Sequence, residues 1–230
     1  KPVTHEIAIR FKLSIQLAIM ATLVAVLIAI PLGIISAVKQ DTWVDYLLRI
    51  ISLGGISIPS FWFATMILVV GLYFFSWSPR LDYISFPENP IENIKMFILP
   101  AVTLGWVTSA TKSRMMRSSM LEVMDTEYVK LARAKGLSQT AVIWKHAFKN
   151  ALIAPLTYAG LTFAGLITGT IVVETVFAWP GLGLLAIWSV NNSDYPILQG
   201  VILIVTAVYV FTSLAVDLLY AVIDPRIRYS

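Results

Sequence analysis

Long uncharged apolar runs, separated by shorter polar stretches, set the rhythm of this chain. Leu13–Val38, Ile50–Pro79, Asn150–Val173 and Tyr195–Val216 contain no charged residue. Each exceeds the ~18 consecutive apolar residues that argue for a transmembrane helix. A fifth run, Met96–Thr111, reaches only ~24 Å as a helix at 1.5 Å per residue. It crosses a ~30 Å hydrocarbon core only if Lys95 and Lys112 snorkel to opposite interfaces. The pattern predicts an all-α, polytopic membrane helix bundle with five spans, occupying residues 1–230 as a single transmembrane domain.

Pro31, Pro59, Pro100 and Pro155 place one proline in or at the edge of each of the first four spans. Each removes a backbone hydrogen bond that neighbouring helices or water must replace. Gly165 and Gly169 form a small-x-x-x-small face suited to close helix approach. Ordinary bundle packing accounts for any one of these residues; together they predict bent helices.

Composition agrees with a membrane class. Charged residues make up 13% of the chain, against about 25% in a soluble globule. With no cysteine, there is neither a disulfide framework nor a thiolate metal site. The net charge of +4 does not point to nucleic acid, because the basic residues are clustered between spans. Most of the 17 Lys and Arg residues fall in Lys39–Arg49, Lys112–Lys149 and the tail from Asp224. The positive-inside rule therefore places those segments, and the C-terminus, in the cytoplasm. Five spans then put Lys1 outside. A chain that opens on Lys, with no cleavage site after its first apolar run, is expected to have a further helix upstream.

One segment breaks the apolar pattern: "EYVKLARAKGLSQTAVIWKHAFKNA", Glu127 to Ala151. Asp125 or Thr126 can cap a helix. Tyr128, Leu131 and Ala132 then share a face at i, i+3 and i+4. Gly136 is a helix stop, and Ser138 can cap a second helix that carries Ile143, Trp144, Ala147 and Phe148 into the fourth span. Such a pair could lie on anionic lipid, enter DNA as a helix-turn-helix, or dock in a groove of a soluble partner. The second helix has only about ten residues before the apolar run, too few for a DNA reader. Lipid binding and docking stand level on the residues alone.

Two carboxylates lie toward span ends, Glu174 in the fourth and Asp217 in the fifth. Charges at membrane depth face a partner or a wet cavity, so both are candidate pathway or gate residues, with structural anchoring as the plain alternative. Trp179 joins them at the start of "WPGLG". Trp179 and Trp188 suit the headgroup zone, and Leu182–Val190 reads as a short amphipathic helix closing the outer mouth.

"YVKLARAKGLS", "WKHAFKNALIAP", "ETVFAWPGLG", "DPRIRY" and the opening "KPVTHEI" resemble signatures of the permease subunits of binding-protein-dependent ABC importers. The resemblance is to the oligopeptide, dipeptide and nickel branch, and it covers essentially the whole chain. The general loop pattern of such permeases has Glu-Ala-Ala where this chain has Lys130, Leu131 and Ala132. The resemblance implies a type I importer fold and a coupling loop at residues 121–149 seated in a cleft of a cytosolic ATPase subunit. Tyr128, Leu131, Ala132, Gly136 and Leu137 would make the contact, with Arg133 and Lys135 adding charge. It also implies a paralogous permease, an extracytoplasmic substrate-binding protein, surrounding lipid, and a bacterial or archaeal plasma membrane. Peptides are the expected substrate; nickel chelates or glutathione are the alternatives.

Catalysis by this chain is not expected. None of its 12 glycines precedes lysine, so no phosphate-binding loop exists, and ATP and Mg would belong to partner subunits. His5 and His146, the two histidines, are assigned to opposite membrane sides, and no aspartate pair lies within the spans, which argues against an intramembrane protease. A stand-alone carrier or channel is the remaining rival; inverted repeats and mid-depth carboxylates, which mark carriers, are not evident.

Overall fold

The computed structural model describes residues 2–78 and 83–223. The "DPRIRY" stretch from Asp224 lies outside the described residues, and so does the side chain of Asp217, whose backbone is helical.

The first helix, α1 (Val3–Val38), ends where the apolar run ends but starts ten residues before it, so the polar opening is helical. Pro31 is accommodated inside it. A polar turn leads to α2 (Trp43–Ser57) and α3 (Ser60–Phe75). These two replace the single span expected over Ile50–Pro79, and they meet at 105°. The cause is local. Proline disfavours the helical region for the residue before it, and Ile58 is extended at φ −84°, ψ 125°.

The expected short span is the middle of a long helix, α4 (Pro90–Met124). Asn89 caps it by accepting from the Glu92 amide at 3.2 Å, and Pro90 takes the first position, where no amide is needed. Lys112 does not snorkel. Its side chain is buried, with Nζ 3.3 Å from the Thr108 carbonyl and 5.7 Å from the Tyr158 ring.

After α4 come α5 (Glu127–Ala134), α6 (Gln139–Ala141), a π-helical segment (Val142–Ala147), α7 (Phe148–Ala151) and α8 (Ile153–Gly169). They are followed by α9 (Ile171–Val176), α10 (Leu182–Asn191) and α11 (Tyr195–Ile223). Among the described residues, three helices are long and apolar enough to cross a membrane, and five spans result if each of two bent pairs counts as one.

The bundle is organised around α1 against α4. Lipid tails are as apolar as leucine, so helices associate in a bilayer by close van der Waals contact between small residues. Ala18, Ala21, Ala25 and Ala29 recur along α1 and are all but fully buried. A Cβ added at Gly33 would lie 2.5 Å from Met116 Cβ, and one at Gly105 would lie 2.6 Å from Val24. The small-residue contact therefore sits on α1 and α4, not at Gly165, where an added Cβ would meet nothing within 4 Å. The close approach on α8 is at Gly160, beside Val216 of α11.

Candidate coupling site

The elbow between α4 and α8 is held by local chemistry. Thr126 precedes α5 in an extended conformation. At the other end the Gly136 amide donates to the Arg133 carbonyl (2.9 Å) and the Leu137 amide to the Ala132 carbonyl (3.4 Å), the paired bonds of a Schellman stop. Gly136 adopts φ +77°, where a side chain is strained. Ser138 Oγ then accepts from the Ala141 amide at 3.3 Å and starts the second arm.

The two arms close on each other. Val129 and Ala132, three apart on α5, are buried against Val142, with Val123 alongside. The Tyr128 hydroxyl accepts from Asn150 Nδ2 at 2.7 Å and donates to the His146 carbonyl at 3.2 Å. The Asp125 carboxylate, 3.0 Å from Lys130 Nζ, holds that ammonium above its ordinary pKa; both groups are exposed, so the pair adds little stability. The second arm widens into its π segment, burying Val142, Ile143 and Ala147. Ile143 and Ala147 join Ile34 and Ala37 of α1 and Met116 and Met120 of α4 in one apolar cluster. The elbow is thus backed by the ends of both central helices.

Its outward face is uncovered by the described residues. Leu131 is 57% exposed, Trp144 53%, and Tyr128 and Leu137 43% each; Arg133, Lys135 and Lys145 are exposed around them. Ala132 departs from the sequence expectation. It shares the inward face with Val129 rather than the outward face with Leu131, because at about 100° per residue only one of these rows can face the second arm. Val129 carries no chemical signal of its own, and its role is visible only once the arms close.

Sequence reasoning also missed a polar clasp at this end of the bundle. Asp45, in the first turn of α2, is fully buried. Arg117 of α4 donates to it through Nε (3.0 Å) and Nη2 (2.8 Å). Arg49 does the same at 3.0 and 2.5 Å, the Asp41 amide donates at 3.1 Å, and the Ser36 hydroxyl donates from α1. The i, i+4 spacing of Asp45 and Arg49 was legible; Arg117, 72 residues away, was not.

Two of the candidate gate residues, Glu174 and Trp179, lie at the opposite end. Glu174 is fully buried and accepts from Ser14 Oγ of α1 at 2.8 Å and from the Leu184 amide at 2.9 Å. Ser14 Oγ in turn accepts from the Leu182 amide at 2.8 Å. The carboxylate therefore sits at the N-terminus of α10, whose free amides and dipole favour a negative charge. A Cβ at Gly181 would collide with the Glu174 carboxylate, so that glycine makes room for it, whereas one at Gly183 would meet Ile171 at 2.5 Å before Glu174 Oε2 at 3.0 Å. Trp179 is buried edge-on against Phe97 with centroids 4.6 Å apart, away from the headgroup position expected for it. Trp188 is half-exposed. Nor is α10 amphipathic: Leu182 and Leu185 are buried while Trp188 and Val190 are exposed, so it is apolar on both faces. Glu174 thus ties α9 to α1 and α10, and Trp179 packs on α4.

Among the described residues, no group of three or more His, Asp or Glu side chains is placed to hold a metal. What the elbow offers is an exposed face that is both apolar and basic.

Comparison with known proteins bears on what docks there. Residues 29–229 match the family described as binding-protein-dependent transport system inner membrane component. Over its full length the chain is 41% identical to the dipeptide transport system permease protein DppB of Alkalihalophilus pseudofirmus, covering 75% of that protein. It is 38% identical to DppB of Haemophilus influenzae, covering 74%, and 40% identical to the glutathione transport system permease protein GsiC of Escherichia coli, covering 72%. Among solved structures, the inward-facing MetNI methionine ABC transporter matches with a TM-score of 0.75 at 15% identity, over 97% of this chain and 99% of that one. An amino acid ABC transporter matches at 0.65 and 16% identity, over 97% and 95%. At such identities the likeness is one of fold.

Proposed function

The chain belongs to the binding-protein-dependent transport inner-membrane components, and on that premise we propose that it is a peptide-translocating permease whose elbow, residues 125–149, receives force from cytosolic ATPase subunits. The observation that carries this reading is the uncovered face of Leu131, Leu137 and Trp144, ringed by Arg133, Lys135 and Lys145 and rigidly backed by α1 and α4. A lipid-surface helix needs no such backing; a lever does. Tyr128 supports the face from its edge, and Gly136 sets the turn. ATP and Mg act on the partner subunits. A paralogous permease completes the translocation path, and an extracytoplasmic binding protein delivers the substrate. The elbow and the C-terminus face the cytoplasm.

Peptides are the substrate that relatives named for dipeptide transport favour. A relative named for glutathione transport keeps that small peptide as the second reading. Uptake of labelled dipeptides, glutathione and nickel by cells carrying the assembled importer separates these substrates. Arg133→Glu is expected to insert at normal level and to lose uptake; normal uptake at normal protein level would remove the elbow from the mechanism.

A further inference from the structure

The Asp45 clasp is the first rung of a longer seam. About two turns further along α2, Ser52 Oγ lies 3.1 Å from Ser113 Oγ of α4, buried. Beyond it, a Cβ added at Gly55 would lie 3.1 Å from Ala110 Cβ and 3.2 Å from the Trp106 carbonyl. As α2 advances through positions 45, 52 and 55, α4 runs back through 117, 113 and 110, so the rungs form one antiparallel interface. Arg117 lies about two turns before Met124, where α4 gives way to the elbow. At its other end α2 stops at Ile58 and Pro59, both extended, and α3 departs at 105°.

These two ends differ in how they can move. A carboxylate held by two bidentate guanidinium groups resists slipping, because four charge-assisted hydrogen bonds must break together. A slip of one turn along the seam would also break the serine contact and drive the Gly55 backbone against Trp106. Among the described residues, no ion pair spans the corner at Ile58–Pro59. Short non-helical junctions of this kind are where helix pairs absorb changes in φ and ψ.

We propose that Asp45 is a positioning residue of the transport cycle: clasped by Arg117 and Arg49, it fastens α2 to the elbow end of α4, so that elbow, α4 end and α2 move as one lever that flexes at the Pro59 corner. The proposal rests on the reading of the elbow as the ATPase contact. It assigns work to a carboxylate buried inside this chain.

Because the chain has no cysteine, the seam can be locked directly. In the assembled importer, reconstituted in proteoliposomes, Ser52→Cys with Ser113→Cys is oxidised and uptake of labelled dipeptide is followed. A rigid lever keeps at least about half of the uptake when locked, since the motion lies at the corner. Uptake that stops on oxidation and returns on reduction means that the seam slides, and overturns the proposal. In parallel, Asp45→Asn is expected to lower the uptake obtained per ATP hydrolysed by about ten-fold, with Asp45→Glu recovering part of it. An unchanged ratio in Asp45→Asn also overturns the proposal. Should Asp45→Asn fail to assemble, the locked seam decides alone. A failure of the elbow reading shows separately, as elbow probes that never meet an ATPase subunit, whereas the seam test reads motion inside this chain.

Discussion

Replacing Glu174 by alanine should release α10 from the bundle. The carboxylate accepts from the Ser14 hydroxyl and the Leu184 amide in a fully buried site. Two hydrogen bonds are lost, and the Leu184 amide and Ser14 hydroxyl are each left with a desolvation cost of about 1–3 kcal/mol. The sum is on the order of 3–5 kcal/mol, of which even the lower end raises the population of the open state about 150-fold. Ser189, buried on α10, provides the reporter as Ser189→Cys, because the chain contains no other thiol. Maleimide labelling of that cysteine in the purified importer should be slow with Glu174 present and about 100-fold faster in Glu174→Ala, if labelling follows local opening. Glu174→Gln keeps the shape and one acceptor, and should cost about 1 kcal/mol. Labelling rates within about two-fold of each other across all three forms would refute the view that this carboxylate holds α10.

Gly33→Leu should separate α1 from α4, because a Cβ there already meets Met116 at 2.5 Å; overpacking of about 1–3 kcal/mol should appear as a lower thermal midpoint of the complex in detergent. Gly136→Ala meets no neighbour and should cost only the backbone strain of positive φ, about 1–2 kcal/mol, leaving uptake measurable. Gly136→Pro also removes the amide that closes the Schellman stop and should abolish uptake while insertion, read by membrane fractionation, stays normal.

What could be read from the residues was local. The helix stop at Gly136, the cap at Ser138 and the starts of α5 and α11 depend on neighbours a few positions away, and all were legible. The start of α1 was not, because hydrophobicity marks where lipid begins and not where a helix does; His5, Glu6 and Arg10 are helical outside the apolar run. Prolines divided in the same way. Pro31 and Pro100 lie inside continuous helices and Pro59 makes a corner, because Ile58 before it leaves the helical region while the residues before the other two prolines stay helical. The partners of Glu174 were not legible, because Ser14 comes from a distant helix and the Leu184 amide from the backbone. Arg117 and Asp45 stayed unpaired on paper for the same reason. Ala132 was assigned to the docking face by periodicity, which defines rows on a helix but not which row faces inward.

The central claim is that the outward row of the elbow, and not its inward row, receives the ATPase. It is tested most directly by single-cysteine photocrosslinkers at Leu131 and Leu137 in the assembled importer, with Val129 as the inward control. The account predicts adducts with an ATPase subunit from Leu131 and Leu137 and none from Val129. Adducts to lipid alone, or labelling of Leu131 by an impermeant thiol reagent added from the outer side of intact cells, would contradict it.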